Sequence, residues 1–311
     1  MLLAISASAS ALADTYPSRA VKVIVGFPPG GGTDVIARTV AAELAKSLGQ
    51  QFVVDNKGGA NGVSGTTELA KSAPDGYTVM MTISSHVTNT LLYPKLSYQL
   101  KDFQPISIVA TSPFVLVANP AFPPNTLPEF LALAKKEGKK IDFASPGSGS
   151  TQHLSMELLK VMAQVDATHI PYKGGAPALT DLLAGQVPLT FMTTVQSLPF
   201  LKDKRIKALA VSTAKRTPVL PDVPTIAESG VPGYESDVWF GFIAPAGVPR
   251  PVVEKLHAEI VRIVKTPHMQ TTLAAQGAEP VGNSPEEFAR LIQAEHVKWA
   301  EVFKRTGIKA D

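Results

Sequence analysis

The chain has 311 residues, 45% hydrophobic and 18% charged, with a formal net charge of +3 and no cysteine. This composition is globular rather than disordered, and the length allows two domains with separate cores. Disulfides and thiolate chemistry are excluded, and the lack of any Lys/Arg block argues against DNA or RNA as a partner.

The opening residues run from Met1-Leu2-Leu3-Ala4-Ile5 to Ala11-Leu12-Ala13 before Asp14, apolar and small, with an A-x-A ending. We read residues 1–13 as the remnant of a secretory signal lacking its basic start, rather than as an ordinary apolar N-terminus. The mature chain, from about Asp14, is then expected to be soluble and exported. No later run is long and apolar enough to span a membrane.

Val21-Lys22-Val23-Ile24-Val25 predicts a strand, followed by the turn Gly26-Phe27-Pro28-Pro29-Gly30-Gly31-Gly32-Thr33-Asp34. Ile36, Val40, Leu44 and Leu48 then recur every four residues along a helix stopped by Gly49. A strand, a glycine turn and a helix start leave several backbone N–H groups unpaired at the positive end of a helix dipole. That is a ready anion site, and the glycines allow close backbone approach. Residues 51–55 predict a second strand, 56–62 a long turn, 66–71 a helix and 77–83 a third strand. This alternation indicates α/β units with largely parallel pairing.

Residues 106–110 and 114–117 predict two strands separated by Thr111-Ser112-Pro113, and we place the first crossing between domains there. The next stretch repeats the opening grammar: a helix over 127–137, a strand over 141–144, then Ser145-Pro146-Gly147-Ser148-Gly149-Ser150-Thr151. A helix with Leu154, Leu158 and Val161 on one face follows. After it come a strand over 168–172, the turn Lys173-Gly174-Gly175, a helix over 176–184, and strands over 187–193 and 206–212. Pro218, Pro221, Pro224 and Pro232 punctuate the return crossing. The tail predicts a strand over 239–244 and a helix bearing Val252, Leu256, Ile260 and Ile263, entered through Pro249 and Pro251. A last helix opens on the capping box Ser284-Pro285-Glu286-Glu287. The expectation is two lobes joined by two strands, with 14–108 and 229–311 in the first and 109–228 in the second.

Spacing removes three enzymatic readings. No Lys-Ser/Thr follows Gly32, Gly149 or Gly175, so there is no phosphate-binding P-loop. Gly30-Gly31-Gly32 is followed by Val35 and Gly147-Ser148-Gly149 by Gln152, so there is no dinucleotide fingerprint. Neither Ser64 nor Ser148 has the flanks of a hydrolase elbow. The histidines at 86, 153, 169, 257, 268 and 296 form no zinc pair, so no metal and no cofactor is expected. His257 and His296, beside Glu254 and Glu295, read as solvated helix faces. His153, in the first turn of a helix, reads equally as a neutral turn cap or as a ligand contact. One glycine turn alone would be a tight strand–helix connection. Two matched turns, rich in Ser and Thr hydroxyls, favour a site for an anion or for a molecule with two acidic ends.

The residues Phe27 to Asp34 with Ala37-Arg38, Pro74-Asp75-Gly76-Tyr77, Pro171-Tyr172-Lys173-Gly174, Leu220-Pro221-Asp222-Val223-Pro224-Thr225-Ile226-Ala227-Glu228, Trp239-Phe240-Gly241 and Ala244-Pro245-Ala246-Gly247-Val248-Pro249 run in order along the chain. Together they resemble the signature of the tripartite tricarboxylate transporter solute-binding proteins, the Bug family. The resemblance implies an α/β, two-lobed periplasmic-binding-protein fold (type II, Venus flytrap) with mixed sheets joined by two crossing strands. It also implies a monomer in the periplasm and a carboxylate held by main-chain amides, hydroxyls and ordered water.

Carried over, the ligand-binding residues are Phe27, Gly30, Gly31, Gly32 and Thr33 on the first turn and Ser145, Gly147, Ser148, Gly149 and Ser150 on its counterpart. Ser84, Ser85 and His86 after the third strand join them, with His153 and Thr193. Met192-Thr193-Thr194 departs from relatives that often carry Asp or Asn there, and uncharged Thr193 weighs against an ammonium group on the ligand. Asp34 is read as a helix N-terminal acid turned aside. Tyr172 and Lys173 are within reach of a cleft, with a surface lysine the commoner outcome. The function so implied is a receptor that closes on a small mono- or dicarboxylate and delivers it to integral membrane transporter subunits. The rival readings are a sensor partner of a membrane receptor and, less favoured, an enzyme using the same cleft.

Overall fold

The structure is a computed structural model that describes residues 16–308; the expected signal remnant at residues 1–13 lies outside them. The first part of the chain forms β1 (Val21–Val25), α1 (Gly32–Leu48), β2 (Phe52–Asn56), α2 (Val63–Ala70), β3 (Thr78–Ile83), α3 (Ser85–Leu92) and β4 (Phe103–Ala118). There follow α4 (Leu127–Glu137), β5 (Asp142–Ser145), α5 (Thr151–Ala163), β6 (Thr168–Pro171), α6 (Gly175–Leu183), β7 (Leu189–Thr193), α7 (Thr194–Lys202) and β8 (Lys207–Val211). The chain ends with β9 (Asp237–Pro245), α8 (Arg250–Val264), α9 (Pro267–Ala275), β10 (Glu279–Pro280) and α10 (Pro285–Thr306). Among the described residues no helix is long and apolar enough to cross a membrane.

The chain divides into two units. One takes the described residues up to 110, with 239–273 and 280–298; the other takes 111–238, 274–279 and those from 299 on. Two of the boundaries fall inside β4 and inside β9.

In the first unit the strand order is β2-β1-β3-β9-β4. β1 is parallel to β2 and β3, whereas β9 runs antiparallel to β3, so the sheet is mixed. Val23, Ile24 and Val25 on β1 and Met80 and Met81 on β3 are fully buried, as strands covered on both faces require. α1 buries Ile36, Ala37, Val40 and Leu44 and ends at Gly49, whose φ of 70° only glycine adopts freely. Trp239, Ile243, Phe288 and Ile292 extend the core. The predicted capping box opens α10: Ser284 Oγ accepts from Glu287 N–H at 3.1 Å and Glu287 Oε2 from Ser284 N–H at 2.8 Å.

In the second unit β5 is parallel to β6 and β7, and β4 is antiparallel to β7 and β8. Val115, Val117, Ala144, Leu182, Met192 and Val211 form its core.

The structure corrects the sequence reading in three places. β4 is one strand of 16 residues, not two. Pro113 has no N–H to give, but pairing with β7 begins at Phe114, whose own N–H goes to Ser212 Oγ at 2.9 Å. The proline therefore sits where no ladder donor is needed. Second, the sequence did not predict α3, α7 or α9. SHVTNTLL in α3 is rich in weak helix formers, and Pro199 stands inside α7, where a proline weighs against a helix. Third, α5 buries Leu154, Ser155, Met156 and Leu159, whereas Val161 is 38% exposed. Ser155 turns that face inward, bonding Thr151 O at 2.8 Å and Ser236 Oγ at 2.7 Å.

Candidate functional site

The turn after β1 is built by close backbone approach. A Cβ on Gly26 would stand 2.9 Å from Gly62 Cα, and one on Gly65 would stand 3.0 Å from Gly26 Cα. Residues 57–62 therefore lie directly against the turn, with the Phe27 ring over Gly62. Gly31 is the N-cap of α1 and no side chain caps that helix. Its first amides, Gly32 and Thr33 among them, have no acceptor within the helix.

Asp34 does not supply the missing cap. Its carboxylate accepts from Gly30 N–H at 2.9 Å, from Arg38 Nε at 3.0 Å and from Asn56 Nδ2 at 3.0 Å. Asn56 Nδ2 also donates to Phe27 O at 3.0 Å, and Arg38 Nη2 to Asn56 Oδ1 at 2.9 Å. Burial acts to raise the Asp34 pKa, but Arg38, the Gly30 amide and Asn56 outweigh it and hold the carboxyl below its usual range. Asp34 is thus turned aside, and the ring of bonds fixes the turn from within. The sequence reading gave Asn56 no role. Its level beside Val25 follows from the β1–β2 register, which the sequence does not state.

The loop after β3 is interior. Ser84, Ser85 and His86 are all buried, and Ser84 Oγ accepts from Trp239 N–H at 3.5 Å. His86 lies edge-on to Phe103 at 5.0 Å, and its Nδ1 has no hydrogen-bond partner. Burial pushes His86 down from 6.5 to about 4. The unfolded chain then binds the proton more readily, so stability is complete above about 6.5 and falls as the pH drops towards 4. Urea unfolding at pH 5 is expected to show a loss of about 2 kcal/mol from this group relative to pH 7. His86→Gln should remove that part of the acid dependence; an unchanged pH profile would show that His86 is not its source.

In the second unit, Ser145 Oγ donates to Gly147 O at 3.0 Å, accepts from Gly147 N–H at 3.1 Å and meets His169 Nε2 at 2.6 Å. Gly147 and Gly149 have φ of 146° and 72°, in the region that favours glycine. Gly149 N–H donates to His153 Nδ1 at 3.0 Å, and Ser150 Oγ caps α5 by accepting from His153 N–H at 3.3 Å. An Nδ1 that accepts from an amide carries no proton, so the His153 ring is neutral and acts as a turn cap. The Ser145–His169 pair was invisible in the sequence. Ser145 is fully buried and bonded twice to Gly147, so the pair builds the turn rather than presenting a nucleophile.

Thr193 caps α7, accepting from Gln196 N–H at 3.2 Å. Ser148 is half-buried, Lys173 is exposed, and Tyr172 donates to Asp181 Oδ2 at 2.7 Å. Gln152 and Gln196, which the sequence did not single out, line a cavity of about 10 Å³ with Pro146, Gly175 and Thr190. That is room for about one water. Among the described residues no group of three His, Cys, Asp or Glu could hold a metal. Each unit thus has a glycine turn of this kind at the carboxyl end of a parallel strand, after β1 and after β5, where open α/β sheets place ligands.

A family model described as the tripartite tricarboxylate transporter family receptor matches residues 36–308. Protein BugT of Bordetella pertussis is 39% identical over 300 residues, covering 96% of this chain and 92% of BugT. The solved structure of Rpa4515 from R. palustris with adipate superposes with a TM-score of 0.92 at 38% identity, covering 95% of this chain and 100% of that one. MatC from Rhodopseudomonas palustris with bound malate gives 0.85 at 36% identity, covering 92% and 99%. The mixed α/β fold is that of these solute-binding proteins.

Proposed function

Since the chain belongs to the tripartite tricarboxylate transporter receptor family, we propose that it is a periplasmic receptor for a small mono- or dicarboxylate, which it delivers to integral membrane transporter subunits. The observation that carries this reading is the uncapped start of α1 beside a pinned Asp34. Amide donors remain at the turn, and the Asp34 carboxylate is paired with Arg38 and turned away. Thr33 on the first turn, and Ser148 and Ser150 on the second, add hydroxyls to those amides. The adipate and malate carried by relatives are of this ligand class. Each hydrogen bond to a charged acceptor contributes about 1.5–3 kcal/mol, so a few suffice for micromolar affinity.

A panel of organic acids, read by thermal shift and calorimetry, is expected to contain one that raises the melting temperature. Gly31→Asp and Ser148→Asp each place a negative charge at one turn and are expected to abolish the shift. Full binding in both variants would place the ligand elsewhere.

A further inference from the structure

The unit 2 turn is held by two imidazoles in contact. The rings of His153 and His169 stack with centroids 3.7 Å apart and planes 8° from parallel. His153 Nδ1 accepts from the Gly149 amide, and His169 Nε2 lies 2.6 Å from the Ser145 hydroxyl, so the pair grips the turn at both ends. Phe143 on β5 covers His169 at 5.0 Å. Among the charged and titratable groups facing the pair are Glu157 and Lys160 on α5 and, through Lys160, Asp166. Glu157 Oε1 lies 3.7 Å from His153 Nε2 and 2.8 Å from Lys160 Nζ, which is 3.3 Å from Asp166.

This geometry depends on protonation. A proton on His153 Nδ1 would face the Gly149 N–H, donor against donor, and one of them must move. Two charged rings at this separation repel. Glu157 stands on the far side of the His153 ring, so an imidazolium is drawn away from Gly149 and towards the carboxylate. Histidine is the side chain that changes charge between pH 5 and 8.

We propose that His153 is a positioning residue for ligand capture: its neutral ring holds the 145–150 turn in its binding shape, and mild acid releases both turn and ligand. The capture half of this proposal rests on the carboxylate-receptor reading; the turn half does not.

The test begins with the ligand-free, ¹⁵N-labelled protein. At pH 7.5 His153 is expected to carry its proton on Nε2. Between pH 7.5 and 5, hydrogen-exchange protection of the Gly149 amide, corrected for intrinsic rates, should fall roughly tenfold more than that of its neighbours. His153→Asn offers a carbonyl oxygen near the position of Nδ1 and cannot be protonated, so its protection should stay flat with pH. Calorimetry with adipate then compares the Kd at pH 5 with that at pH 7.5. A rise of roughly tenfold is expected for the native chain. In His153→Asn the ratio should shrink to that set by the acid's own ionisation, whatever the absolute affinity. A proton on Nδ1 at pH 7.5, or Gly149 protection that tracks its neighbours in the native chain, overturns the proposal without need of a variant. Equal Kd ratios in the two proteins also overturn it. If the amide behaves as expected but no acid of the panel binds at either pH, the receptor reading fails and the turn brace stands.

Discussion

Replacing Asp34 by Ala is expected to cost roughly 3 kcal/mol of stability and to abolish ligand binding together with it. The carboxylate joins the Gly30 amide, the Arg38 guanidinium and the Asn56 amide, while Asn56 also holds Phe27 O. Removing it leaves the Gly30 N–H and the Asn56 Nδ2 short of an acceptor and frees Arg38 to swing outward. The turn then loses the bonds that set its shape. Asp34→Asn keeps the volume but replaces one charged oxygen with a donor facing donors, so it should approach the alanine variant rather than the native chain. Urea unfolding gives the stability and calorimetry the binding. A loss below about 0.5 kcal/mol would mean that the ring of bonds contributes little. The pH sign is fixed by the direction of the shift. Because the folded pKa is depressed, this stability is present above the unfolded value near 3.8 and is lost as pH falls through the folded one.

Trp239→Ala is expected to cost roughly 4 kcal/mol, the larger of the two losses. The indole is 1% exposed, lies edge-on to Phe288 at 4.9 Å and donates Nε1–H to Glu295 Oε2 at 2.9 Å. Alanine would leave a cavity where the ring packed and would remove one donor from a buried carboxylate. Trp239→Phe fills much of the space and removes the N–H, so it isolates the second effect at roughly 1–2 kcal/mol. Chemical denaturation of both variants checks the ordering. If phenylalanine proves as costly as alanine, the bond to Glu295 outweighs the packing.

The parts of the fold that were legible are those written in local chemistry. The helix over 127–137 was read to its ends, and the structure gives the local reason for both: Thr126 Oγ1 accepts from Glu129 N–H at 3.3 Å, and Gly138 follows the last turn. The two turns were visible because strand, glycines and periodic helix follow one another within about thirty residues, as strand–turn–helix units do. Asn56 and His169 were not legible as partners of the turns. Each sits on a strand beside the one that carries its turn, and strand order and register are tertiary facts. α3 stayed hidden for the opposite reason: its Ser, His, Val, Thr and Asn weigh against a helix locally, and burial against the core decides. His153 shows the limit most plainly. Its place in the first turn was predicted, but its role needed the direction of one nitrogen.

β9 lies between β3 and β4, with Ile83 opposite Phe240. The unit that opens the chain therefore remains a half-built sheet until its last interior strand has been synthesised, more than a hundred residues later. At the usual pace of translation that interval is roughly ten seconds. Contacts so distant along the chain also make folding slow once every strand is present. A nascent chain of this topology stays threadable long after its first third has emerged from the ribosome.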